Sequence, residues 1–129
     1  YTVSLWFWNG MPDNARPIAG WLFSRGQDQL GLDGNGHLLF SDGKGNHLAE
    51  ATVKRWTWRQ VALIRKGERI LVYLDGELEI EAQSNAKAVH ETFFIGGRSD
   101  NDSNWEGRLD EVAIFDRALT PNEVKKLSP

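Results

Sequence analysis

Asp75-Gly76 stands between two runs of alternating character, Arg69–Leu74 and Glu77–Glu81. In the first, Ile70, Val72 and Leu74 fall on one face of an extended chain; in the second, Leu78 and Ile80 share a face, because strand side chains alternate with a period of two. Glycine readily takes the positive φ of a primed turn, so Asp-Gly between such runs marks a two-residue β-hairpin. A hairpin of this kind commits its two strands to antiparallel pairing.

The same pattern recurs along the chain. In Thr2–Trp8, Val3, Leu5 and Phe7 share one face, and Thr2, Ser4, Trp6 and Trp8 the other. The second face reads either as indoles half-buried in a covered sheet or as one Trp lining a binding groove. Residues 9–17 carry two prolines with Asn, Asp and Gly and form a loop. Trp21–Ser24 and Gln29–Leu32 read as strands, and Asp33-Gly34-Asn35-Gly36 turns the second into His37–Ser41. Residues 42–46 make the next turn, followed by a weaker strand around His47–Val53. Thr57–Arg65 is a long strand returned by Lys66-Gly67, and Gln83–His90 is a small polar loop with room for one helical turn.

About ten short strands without strand–helix alternation imply an all-β fold, an antiparallel two-sheet β-sandwich. One short C-terminal helix follows. Thr120 as N-cap, Pro121 at the first position and Glu123 at the third form a capping box, and a helix this short must dock through Val124 and Leu127. Val3, Leu5, Phe7, Leu63, Val72, Leu74, Phe94, Val112 and Ile114 are the expected core.

The 129 residues form one domain, 1–129, with room for one substantial core. A net charge of −3 with scattered basic residues offers no nucleic-acid footprint. No apolar run approaches the ~18 residues of a membrane span. Cysteine is absent, which excludes disulfides and thiolate metal sites but leaves the compartment open. With no initiator Met and a strand-like start at Tyr1, the chain reads as a piece of something longer.

Chemistry concentrates in Phe93–Phe115, where a short apolar run stops at Gly96-Gly97, a polar loop follows, and alternation resumes at Leu109. Leu109, Glu111, Ala113 and Phe115 fall on one face, Asp110, Val112 and Ile114 on the other. Trp105 offers an aromatic face for a sugar ring, and Arg98, Asp100, Asn101 and Asn104 offer hydrogen bonds for its hydroxyls. The structural alternative has Trp105 plugging one end of the sandwich and Arg98 pairing with Asp110 or Glu111. The oxygen-rich set Asp100, Asn101, Asp102, Asn104 and Asp110 suits a hard cation such as calcium, or serves only to form turns. The histidines His37, His47 and His90 lie in or beside turns, with no spacing that gathers three ligands.

Phe94-Ile95-Gly96-Gly97-Arg98 and the run from Gly107 to Val124 resemble the C-terminal signature of laminin-G-like domains of the concanavalin A-like superfamily. Trp58–Arg65 and Val72-Tyr73-Leu74-Asp75-Gly76 are similar to the same family's middle strands. The resemblance sharpens the sandwich to a jelly roll. It implies carbohydrate or protein recognition in a secreted, periplasmic or cell-envelope bacterial protein, and Asp110, with Asp100 and Asp102, as calcium ligands. Arg25 lies in another matching motif and is expected beside the Trp105 rim. The family's usual N-terminal segment is missing here, which implies an uncovered sheet edge and assembly with another chain. Glu77, Glu79 and Glu81 sit at alternate positions of a strand and hence on one face. Some glucanases of the superfamily carry an acidic triad at this spacing, and the alternative is a solvated strand face. The reading is a non-catalytic module that binds glycans, with protein assembly as the second possibility and glycoside hydrolysis as a remote third.

Overall fold

The computed structural model describes residues 1–86 and 92–129. Its strands are β1 (Thr2–Asn9), β2 (Ile18–Arg25), β3 (Asp28–Asp33), β4 (His37–Ser41), β5 (Asn46–Thr52), β6 (Trp58–Lys66), β7 (Arg69–Leu74), β8 (Glu77–Gln83), β9 (Phe93–Ile95) and β10 (Gly107–Phe115), followed by helix α1 (Pro121–Leu127). They form two five-stranded sheets, a front sheet β10-β1-β6-β7-β8 and a back sheet β5-β4-β3-β2-β9. All paired strands are antiparallel. The loop expected over Gln83–His90 lies partly, and His90 wholly, outside the described residues.

The Asp75-Gly76 hairpin forms as expected, with φ of 49° and 85° at its two central residues, the positive pair of a type I′ turn. The Asp75 carboxylate also accepts the Gln60 N–H at 2.9 Å and pairs with Arg59, tying the turn back to β6. Between the sheets lie Val3, Leu5, Phe7, Leu63, Val72 and Leu74 from the front and Leu22, Phe23, Leu30, Leu32, Leu38 and Phe40 from the back, all buried. Each such side chain contributes about 1.5–3 kcal/mol on leaving water.

A second apolar cluster forms on the outer face of the front sheet, where Val124 and Leu119 cover Ala62, Ile64 and Tyr73. The capping box is complete: the Glu123 N–H donates to Thr120 Oγ1 at 3.3 Å, and Glu123 Oε1 accepts the Thr120 N–H at 3.2 Å. Hydrogen bonding from Arg117 and then the Thr120 N–H brings the Glu123 carboxyl down to about 2.

Two expectations fail for one reason, a local break in strand register. In β10, Ala113 faces Ser4 but Asp110 faces Trp6, so Glu111 and Val112 together oppose Leu5. Glu111 has φ of 48°, the left-handed residue of a bulge. The break turns Phe115 away from Leu109: Leu109 packs on the main core and Phe115 on the helix-side cluster. Val112 and Ile114 therefore follow Val3 toward the gap between the sheets, but β9 is too short to cover them. They are 42% and 44% exposed and not core. Phe94, also expected in the core, is only half-buried, because its partner Ser24 belongs to the other side of β2 from the core residue Phe23. In β8, Ile80 pairs with Val72 and Leu78 with Tyr73, leaving Glu79 as the extra residue. Glu77 then sits opposite Leu74 and Glu81 opposite Leu71, on different faces, so the acidic triad does not share one. Glu81 is spent on an ion pair with Arg69 at 2.8 Å.

At one end the sheets are clamped by a buried ion pair. Arg65 of β6 donates from Nε and Nη2 to both oxygens of Asp28 on β3, at 2.7 and 2.5 Å. Its Nη1 donates to the carbonyls of Gly67 and Ser84, and the Tyr1 hydroxyl donates to Asp28 Oδ2 at 2.7 Å. Burial and the neighbouring Asp28 carboxylate push the Tyr1 phenol far above its ordinary value, keeping it protonated. Removing one partner leaves the other charge buried alone. Asp28→Ala is expected to lower the unfolding free energy by about 3–5 kcal/mol in urea titrations; a loss below about 1 kcal/mol would mean that the pair is solvated.

Candidate functional site

The loop between β9 and β10 folds over the outer face of the back sheet. Gly96 turns the chain at φ of 80°, and Ser103 accepts the Trp21 N–H at 3.0 Å. The Arg98 guanidinium carbon lies over the Trp21 ring, 4.7 Å from its centre. It donates to Asp100 Oδ2 at 2.7 Å and to Gln29 Oε1 at 3.1 Å, with Asp102 at 3.6 Å. Arg98 therefore pairs within its own loop rather than with Asp110 or Glu111. The Asp102 N–H first, and Arg98 after it, hold the Asp100 carboxyl below the usual carboxylate range. Asn104 donates to Asn101 at 2.7 Å. The rim gathers Arg98, Asp100, Asn101 and Asn104, as expected, and adds Trp21 and Gln29, which only the pairing of β2 and β3 brings there. Most of its hydrogen-bonding capacity is turned inward.

Trp105 takes the plug position. Its ring meets Phe7 edge-on at 5.8 Å, and its Nε1 donates to the Arg108 carbonyl at 3.3 Å. Gly20 makes room, since a Cβ there would come within 2.9 Å of the indole. Arg25 does not join the rim. It lies on the core side of β2 between Tyr1 and Phe93, 4.8 and 4.7 Å from their ring centres, at the clamped end. Alternation along β2 decides this: Ser24 lies on the rim's side and Arg25 on the opposite one.

The candidate calcium ligands are not assembled. Asp100 and Asp102 converge on Arg98. Asp110 instead faces Trp6 on the front sheet and accepts the Glu111 N–H at 2.7 Å. Among the described residues no three acidic or histidine side chains gather to hold a metal ion, whereas calcium takes about six to eight oxygens. The described residues thus do not bring Asp110 to the Asp100 and Asp102 pair.

A second surface lies on the outer face of the front sheet. Cross-strand pairing sets Arg108, Trp8 and Trp58 in one row and Asp110, Trp6 and Gln60 in the next. None of these three indoles belongs to either apolar cluster, because α1 covers Ala62, Ile64 and Tyr73 instead. Trp58 is 42% exposed, and Trp56, whose N–H donates to the Asn9 carbonyl at 2.8 Å, is 58% exposed. Arg108 stacks on Trp8 at 4.6 Å and Arg55 on Trp56 at 4.1 Å. The alternation of Thr2–Trp8 already places Trp6 and Trp8 together. Trp58 and Arg108 join them only through the register of β1 with its two neighbours.

The concanavalin A-like lectin/glucanases superfamily model matches residues 1–125. A comparison with curated protein sequences finds no match. Among solved structures, the chain is similar to a Bacteroides ovatus protein for which carbohydrate binding has been suggested (TM-score 0.78, 18% identity, covering 97% of this chain and 39% of that one). It is also similar to domain 4 of the extracellular arabinanase AbnA of Geobacillus stearothermophilus, in complex with arabinotriose (0.74, 20%, 99% and 66%). A third is the CBM40 domain of a Ruminococcus gnavus sialidase bound to α2,3-sialyllactose (0.74, 17%, 99% and 82%). The chain thus spans less than two thirds of the first two, and at these identities the likeness is one of fold.

The two kinds of indole should separate in stability measurements. Trp105→Ala is expected to cost about 3 kcal/mol through the cavity it leaves beside Phe7, and Trp58→Ala less than about 1 kcal/mol, read by urea unfolding. Equal costs would contradict this division.

Proposed function

Because the chain belongs to the concanavalin A-like lectin/glucanases superfamily, we propose that it is a non-catalytic glycan-binding module whose contact surface is the tryptophan ledge of the front sheet. The carrying observation is that Trp56 and Trp58 stand open to solvent at the end of a sheet whose outer face α1 covers only over Ala62, Ile64 and Tyr73. Large aromatic side chains left in water forgo the stabilisation of burial, and exposed apolar patches mark contact surfaces. An indole face matches the C–H face of a pyranose, and Asp110 and Arg108 at its margin supply an acceptor and donors for hydroxyls. The arabinotriose and sialyllactose held by two structural neighbours support sugar as the ligand class. Nothing in the fold pairs Glu77 with Glu81 as acid and nucleophile, which supports binding without hydrolysis. Such a module belongs in a secreted or cell-envelope protein, where polysaccharides are met.

Affinity electrophoresis against a panel of soluble polysaccharides tests the reading. Trp58→Ala and Trp8→Ala are each expected to weaken retardation at least about tenfold, as for central aromatic anchors, with the fold intact by circular dichroism. Unchanged binding in both variants would move the site elsewhere, with the Arg98 rim next in line.

The bare edge of the sandwich favours a second role, assembly with another polypeptide chain. Ile95, Val112 and Ile114 point into the gap between the sheets and are 40–44% exposed, a sheet-edge surface that proteins ordinarily cover. Analytical ultracentrifugation is expected to show self-association that Val112→Lys abolishes; a monomer at high concentration, with no shift on mutation, would remove this role.

A further inference from the structure

We propose that the polysaccharide taken by the tryptophan ledge is acidic, a chain of hexuronate rings whose carboxylates are read by Arg108 and Arg55. This rests on the glycan reading of the same ledge. Of the other arginines, Arg59, Arg65, Arg69, Arg98 and Arg117 each hold a carboxylate; Arg16 donates to the carbonyls of Ala19 and Asn104, and Arg25 lies between Tyr1 and Phe93 at the clamped end, away from the ledge. Arg55 and Arg108 are in no ion pair among the described residues. Arg55 donates one hydrogen bond, from Nε to the Gly10 carbonyl at 3.2 Å, while the Arg108 guanidinium makes none there.

Both nevertheless rest against an aromatic ring, the Arg55 guanidinium carbon 4.1 Å from the Trp56 ring centre and that of Arg108 4.6 Å from the Trp8 ring centre. Contact with the ring restrains each guanidinium, and apart from Arg55 Nε its N–H edge has no partner among the described residues. That edge is a planar fork whose spacing matches the two oxygens of a carboxylate. The geometry is therefore pre-organised for an anion, and the entropy of ordering a long side chain is already spent.

The rest of the ledge fits a sugar better than an acidic peptide. Trp58 lies beside Trp8 in the same cross-strand row, so a ring stacked on Trp58 can place a C5 carboxylate toward the fork on Trp8. Asp110, on the same face of β10 two residues beyond Arg108, accepts the Glu111 N–H with one oxygen. It has capacity left for hydroxyl donors, which a hexuronate presents and a glutamate side chain does not. The opposed charges set two residues apart on β10 thus suit a ligand that carries both carboxylates and hydroxyls.

The experiment compares polygalacturonate with its fully methyl-esterified form, two polymers with the same backbone and different charge, by isothermal titration at two salt concentrations. The free acid is expected to bind about fivefold or more tightly than the ester at low salt, with the difference shrinking as salt rises. Arg108→Gln should shrink the difference between the two polymers and Arg108→Gln with Arg55→Gln should erase it, whereas Trp58→Ala should weaken both. Equal binding of acid and ester by the unaltered protein, or an acid preference that survives Arg108→Gln together with Arg55→Gln, overturns this inference and leaves the glycan reading standing. Binding of both polymers that is indifferent to Trp58→Ala and Trp8→Ala overturns the glycan reading itself. Displacement of polygalacturonate by poly-glutamate at equal carboxylate concentration would show that the ledge reads charge alone, and would also overturn the assignment to a uronate.

Discussion

Asp28 and Arg65 meet across the gap between the two sheets, and both are withdrawn from water, at 1% and 8% exposure. Burying either charge alone costs several kcal/mol, a penalty offset only when the partner and the remaining hydrogen-bonding groups are all satisfied. Here they are: two guanidinium nitrogens on the carboxylate, a third on two carbonyls, and the Tyr1 hydroxyl on Asp28. The N-terminal ammonium group donates to the Arg65 carbonyl at 3.0 Å, and Ser84 links the clamp onward to Asp42. The starts of β1 and β3 and the end of β6 are thereby held at one polar junction. Apolar packing between sheets tolerates sliding; a bidentate pair does not.

With that end closed, the tryptophan ledge lies at the other. The end of β1, the beginning of β6 and the beginning of β10 bring Trp8, Trp58 and Arg108 side by side, and the Arg98 rim folds over the back sheet from the same connection that leads into β10. The two surfaces use arginine differently. Arg98 already holds Asp100 and Gln29, so its contact with Trp21 stabilises a loop. Arg108 is stacked but unsaturated, so its stacking presents a donor edge.

Backbone irregularity decides much of what each strand displays. A regular β10 would set Leu109 and Phe115 on one face. The bulge at Glu111 instead sends Leu109 to the inter-sheet core and Phe115 to the helix that covers the front sheet, and each finds apolar partners there. The same displacement leaves Val112 and Ile114 facing a gap that the three residues of β9 do not fill. In β8, one extra residue sets Glu77 and Glu81 on different faces of the strand.

Local signals in the chain determined whatever depends on neighbours in sequence. The positive φ values of Asp75 and Gly76, the Thr120–Glu123 capping box, and the alternation that buries Val3, Leu5 and Phe7 are all properties of a few consecutive residues, and each was legible without coordinates. The rim of Arg98, Asp100, Asn101 and Asn104 was legible for the same reason, being one short loop. Tertiary structure alone decided that Trp105 plugs the core while Trp58 stands open, that Arg25 lies on the core side of β2, and that Asp110 faces Trp6 rather than Asp100. Each of these turns on pairing register or on which element lies opposite. A bulge belongs to a pair of strands, and the period of one strand cannot reveal where its partner will force an extra residue.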